Sequence, residues 1–216
     1  MKGIVLLSSM EKPFDEKLAE VFVRENYTLY AMASNVPLNV RKLSSDPLTA
    51  AKELSEDAGR LDFLLDTTDI NHPEDTFTIR DGINFSLTEE VYKKNVVFPM
   101  SVLEAFLPLL EHGYGKCLFY LSSINASINQ TKNIDHYAYN MSKAALHQFI
   151  QMTRNKLSAK GYRFRIFDPL YNELDPSLAA EAAFNYISRR RGVEGPQRDD
   201  EDNLALRDAY GRLHSW

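Results

Sequence analysis

Short apolar runs recur along the chain, and most are followed by a stretch where apolar residues return every three or four positions. Gly3-Ile4-Val5-Leu6-Leu7 is a continuous apolar run of strand length. Phe14, Leu18, Val21 and Phe22 then recur at helical spacing. Residues 28–33 predict a second strand, 40–43 a short third, and 48–58 a helix. Leu61-Asp62-Phe63-Leu64-Leu65 predicts a buried strand after a stop at Gly59. Residues 67–86 are polar and contain Pro73 and Gly82, which predicts the longest loop. A long helix is expected over 88–112, ended by Gly113 and Gly115, then a buried strand over 117–121. A second long helix is expected over 137–160, stopped by Gly161. Residues 164–167 predict a strand broken by Pro169, 176–191 a helix opening on Pro176, and 204–206 a last short strand.

Strands apolar on both faces, alternating with helices, imply a mostly parallel sheet covered on both sides. Right-handed crossovers make this a doubly wound, Rossmann-like α/β three-layer sandwich with ligands at the strand C-terminal ends. A length of 216 residues suits one domain over 1–216. The net charge of -5 and the lack of a Lys/Arg stripe give no reason to expect nucleic acid. Arg189-Arg190-Arg191 fits the C-terminal turn of a helix, and Asp199-Asp200-Glu201-Asp202 fits a solvated loop. The single Cys117 excludes an intrachain disulfide and fits a buried thiol of a cytoplasmic protein. No apolar stretch is long enough to span a bilayer and no leader precedes the first element, so no membrane association is expected. The five histidines lack metal-ligand spacing, and no metal is expected.

The candidate chemistry lies in Tyr139-Asn140-Met141-Ser142-Lys143. Residues four apart on a helix share a face, so the Lys143 ammonium is expected to lower the Tyr139 phenol toward working pH. Such a phenol exchanges a proton with a carbonyl or alcohol oxygen.

Three further segments stand in a telling order with that pair: Tyr92-Lys93-Lys94-Asn95-Val96-Val97-Phe98-Pro99, Leu121-Ser122-Ser123 and Asp168-Pro169. Together with Tyr139-Asn140-Met141-Ser142-Lys143-Ala144-Ala145, they resemble the short-chain dehydrogenase/reductase family over nearly the whole chain. The resemblance implies hydride transfer between NAD or NADP and a small-molecule carbonyl or secondary alcohol. Tyr139 would be the general acid/base, and Lys143 would tune it and reach the nicotinamide ribose. Ser123 would orient the reacting oxygen, with Ser127 as the alternative in a shifted register. Asn95 would hold a water linking Lys143 to solvent. The two long helices resemble the pair through which the family forms homodimers or homotetramers.

The cofactor half departs from that pattern. Cofactor contacts would fall to Ser8, Ser9, Asn35, Thr67, Lys143 and Pro169. Yet the first loop, Ser8-Ser9-Met10-Glu11-Lys12-Pro13-Phe14-Asp15-Glu16, has no glycine for a diphosphate to approach, and its carboxylates crowd the positive helix end. The family's second cofactor loop is replaced by Asp66-Thr67-Thr68-Asp69. Three functions follow: an oxidoreductase with atypical dinucleotide binding, a non-catalytic binding or assembly subunit, or a nicotinamide-independent dehydratase or isomerase.

Overall fold

The computed structural model describes residues 3–189, 200 and 203–215. Among these residues, eight strands form one sheet in the order β3-β2-β1-β4-β5-β6-β7-β8. Its strands are β1 (Ile4–Leu7), β2 (Thr28–Met32), β3 (Arg41–Leu43), β4 (Phe63–Asp66), β5 (Cys117–Leu121), β6 (Arg163–Asp168), β7 (Leu206–Asp208) and β8 (Leu213–His214). The first seven pair in parallel, and β8 turns back antiparallel on β7. Among the described residues no helix is long and apolar enough to cross a membrane.

The period-two geometry of a strand sends neighbouring side chains to opposite faces, which is why these runs must be apolar throughout. Ile4, Leu6, Leu64, Leu118 and Tyr120 pack under α2 (Pro47–Asp57), α4 (Phe98–Glu111) and α5 (Tyr137–Leu157). Val5, Leu7, Leu65, Phe119 and Leu121 pack under α1 (Pro13–Arg24) and α6 (Pro176–Ser188), where Phe14, Leu18, Val21 and Phe22 supply the helical stripe. Leu6, Leu64 and Leu118 are fully buried. Each such leucine contributes about 1.5–3 kcal/mol relative to an exposed one.

The expected helix over 88–112 starts earlier and is divided. Asn84 caps α3 (Phe85–Tyr92) by accepting from the Leu87 amide, and a π-helical turn, Lys93–Val97, joins it to α4. The last parallel strand lies two residues beyond its expected position, and β8 is additional. A single carboxylate, Asp208, closes that hairpin by accepting from the Tyr210 and Arg212 amides and pairing with Arg212 and His214. Asp200 is buried against Arg207 rather than solvated. Arg190, Arg191, Asp199, Glu201, Asp202 and Trp216 lie outside the described residues. Helix α6 ends at Ser188, short of the expected 191.

Gly113 is more than a helix stop. A Cβ there would lie 1.8 Å from the Leu61 carbonyl oxygen, where α4 turns back against the start of β4. Gly113→Ala is therefore expected to cost about 3 kcal/mol or more in urea unfolding. A change below about 0.5 kcal/mol, typical of an inert surface position, would show that the turn relaxes freely.

Candidate active site

Strand β1 pairs with β2 on one side and β4 on the other, so the chain diverges here and leaves a crevice at the strand C-terminal ends. A groove of about 550 Å³ opens over β4, β5 and β6, lined by Lys12, Asp69, Ser123, Tyr139 and Tyr171, among others. A smaller cavity of about 110 Å³ lies across the first loop, lined by Ser8, Ser9, Met32, Thr68 and Lys94, among others.

Asp69 is the hub of the larger groove. Its Oδ1 accepts from the Tyr139 hydroxyl at 3.0 Å and pairs with Lys143 Nζ at 3.0 Å. Its other oxygen pairs with Lys12, whose ammonium lies 4.2 Å from the centre of the Tyr171 ring. Lys143 is fully buried and also donates to the Thr68 and Leu121 carbonyls at 3.1 and 3.2 Å.

The loop carrying Asp69 is fastened to both long helices. Asn95, presented inward by the π-helical turn, accepts from the Ile70 amide at 2.8 Å and donates to the Ile70 carbonyl at 2.9 Å. Its amide also donates to Ser142 Oγ at 3.0 Å. Asp75 caps the start of α5, accepting from the Tyr139 amide at 3.0 Å. Single-turn π insertions often mark functional positions, and here the turn aims one polar side chain at the loop that holds the hub. The Asn95 side chain is thus a clamp on the loop backbone.

Burial sets the electrostatics. Left alone it would raise Asp69, but Lys143 and Lys12 hold that carboxyl below its usual range. Tyr139 moves opposite to the sequence expectation. Burial and then the Asp69 charge push its phenol well above the ordinary value, because Asp69 takes up Lys143 and adds a negative charge beside the hydroxyl. Tyr139 is accordingly a neutral hydrogen-bond donor rather than a ready phenolate.

Ser123 follows β5, caps the short 3-10 turn Ile124–Ala126 and lines the groove. Ser127 is buried, accepts from the Gln130 amide and does not line the groove, whereas Ser122 and Ser123 do. Next to it, Ser122 Oγ lies 2.6 Å from His147 Nε2. Burial and then Lys143 lower His147 to about 3, leaving a neutral imidazole. Nothing in the sequence pattern singles out His147 except its position four residues beyond Lys143 on the same helix face.

The first loop is turned on itself. Ser8 is buried and its hydroxyl donates to Asp66 at 2.6 Å, while Thr67 Oγ1 donates to the Ser9 carbonyl at 2.8 Å. Asp15 Oδ2 accepts from the Glu11 and Lys12 amides, each at 3.0 Å. Burial raises Asp15 to about 7 against the opposing pull of those amides and Lys12. Asn35 is exposed beyond β2 and lines neither cavity, and Pro169 is buried just past β6.

Among solved structures, the chain is similar to the carbonyl reductase Sniffer of D. melanogaster, with a TM-score of 0.81 and 18% identity over the full length of both chains. It is also similar to an NADPH-bound carbonyl reductase from chicken fatty liver, with a TM-score of 0.79 and 15% identity over 100% of this chain and 99% of that one. A Burkholderia multivorans protein assigned to the short-chain dehydrogenases/reductases, with NADP bound, gives 0.78 and 18% over 99% and 100%. The chain has the short-chain dehydrogenase/reductase fold. No protein-family model matches it. Two curated relatives, both uncharacterized oxidoreductases of Schizosaccharomyces pombe, are 27% identical over 161 residues and 26% over 165. Each match covers 74% of this chain and 60% of the relative, so the chain spans about three-fifths of the length of those relatives.

Removing the Asp69 charge tests the electrostatics. Asp69→Asn should make Tyr139 ionise at lower pH, read as the difference between variant and parent in an ultraviolet pH titration. Leaving Lys143 without a carboxylate should also cost about 3–5 kcal/mol of stability. An unchanged tyrosine titration would mean that Asp69 does not govern the phenol.

Proposed function

We propose that this chain is an oxidoreductase of the short-chain type that reduces the carbonyl of a small molecule, or oxidises the corresponding secondary alcohol. One observation carries the proposal: the Tyr139 hydroxyl and the Lys143 ammonium meet at a single carboxylate in the wall of a groove also lined by Ser123. The relatives' oxidoreductase names and the carbonyl reductases among the structural neighbours support it.

The groove suits the nicotinamide-nucleoside end of NAD or NADP, with Tyr139 presenting a hydroxyl in its wall and Lys143 buried behind Asp69, whose displacement would turn the ammonium toward a ribose. It does not, as it stands, suit the diphosphate, because Asp15 already takes the Glu11 and Lys12 amides. A bound reduced nicotinamide would supply the hydride. The protein's own residues do the rest. Ser123 donates to the substrate carbonyl oxygen and fixes its direction. Tyr139, exchanging Asp69 for that oxygen, would give it the phenolic proton. Lys143 stabilises the phenolate that remains, and Asn95 keeps the Asp69 loop in register while this happens.

Tyr139→Phe should then lower NADPH- or NADH-dependent turnover of a carbonyl panel by about 10²–10⁴ while leaving the melting temperature near the parent's. Unchanged turnover would remove Tyr139 from the mechanism. An exposed apolar face, formed by Tyr92, Val97, Met100 and Met152 on the α3–α4 segment and α5, supports the further proposal that two copies pair there. In sedimentation, the parent should run as a dimer or larger and Met100→Glu as a monomer; a monomeric parent would exclude pairing.

A further inference from the structure

A helix N-terminus offers unpaired amides and a positive dipole end, which is where dinucleotide-binding folds seat a diphosphate. In this chain that place at α1 is filled from within. Asp15 has no exposed surface, and its Oδ2 takes the Glu11 and Lys12 amides together. Its Oδ1 is also buried but has no hydrogen-bond partner. One carboxylate oxygen therefore does the work of a bound phosphate oxygen, while the other is left unsatisfied. Pro13, the first residue of α1, has no amide to offer a second oxygen. Ser8, the first hydroxyl beyond β1, is committed to Asp66. Lys12, the cation at the helix end itself, is committed to Asp69.

We propose that Asp15 is an internal occupant of the diphosphate position and sets the affinity for dinucleotides: a diphosphate binds α1 only when Asp15 gives up the Glu11 and Lys12 amides. The inference rests on the functional proposal that the groove accepts a nicotinamide dinucleotide. It adds that the parent protein binds such a ligand weakly, because the ligand must displace a side chain already in place. The orphan Oδ1 favours the exchange, since release lets water satisfy both carboxylate oxygens.

Calorimetric titration of the parent, Asp15→Ser and Asp15→Asn with NADH, ADP and adenosine tests it. Serine removes the charge and frees the amides, so NADH and ADP should bind about tenfold tighter or better, with adenosine unchanged. Asparagine keeps an acceptor for the amides and should gain less than serine. If NADH binds the parent and neither variant gains, Asp15 is not the occupant and only this inference falls. If ADP tightens on Asp15→Ser but NADH binds no form at millimolar concentration, the inference stands and the nicotinamide proposal falls. If nothing binds any form, both fall. Should the variants fail to fold, amide NMR of the parent decides the point. Saturating NADH should shift the Glu11 and Lys12 amide resonances, and binding that leaves both unmoved overturns the inference.

Discussion

A fully buried ammonium is the constraint on which the candidate site depends. Lys143 lies under the loop after β4 with no exposed surface, and a charge so placed needs a carboxylate and a complete set of acceptors. Asp69, the Thr68 carbonyl and the Leu121 carbonyl provide them. Holding Asp69 there fixes the path of the loop, and Asn95 and Asp75 tie the same loop to the two long helices. The end of β5, the start of α5 and the turn joining α3 to α4 are thereby locked around one charge pair.

Two carboxylates give this site its character. Asp69 meets the phenol and the ammonium, and Asp15 meets the amides at the start of α1. Each answers hydrogen-bonding capacity that the fold would otherwise turn toward a ligand. At these two points the site is internally satisfied, and a ligand reaching them exchanges partners instead of filling vacant ones. Tyr139 shows the consequence most directly: beside Asp69 its phenol is held as a donor, suited to delivering a proton and poorly suited to removing one.

Much of this fold was legible in the sequence because its strands are buried on both faces. Continuous runs such as Ile4-Val5-Leu6-Leu7 and Cys117-Leu118-Phe119-Tyr120-Leu121 admit few placements other than the centre of a covered sheet. The edge was less legible. Strand β8 has two residues and is held by the Asp208 carboxylate, which period-two patterning does not register. The π-helical turn leaves no mark on apolar spacing either, although it is what aims Asn95 inward. In the site, spacing proposed Tyr139 and Lys143 and the family resemblance added Asn95 and Ser123; Tyr139 and Ser123 line the groove, with Lys143 and Asn95 buried behind it. The pairing that sets the Tyr139 proton was not, because a Tyr and a Lys one helical turn apart suggest direct coupling until a third charge intervenes. Asp69 sits seventy residues before Tyr139, and the parallel pairing of β4 with β5 brings the segments that follow them together. The carboxylates of the first loop were visible as a local charge excess, but the chelation of two amides by Asp15 depends on how the loop closes.

The most direct test is a carboxyl-carbon NMR titration of the parent protein, with Asp69 assigned by comparison with Asp69→Asn. An Asp69 locked between Lys143 and Lys12 should titrate with its midpoint below that of an ordinary aspartate. Protonation at or above the ordinary value would mean that burial outweighs the two ammonium groups, contradicting the charge pair around which the site is built.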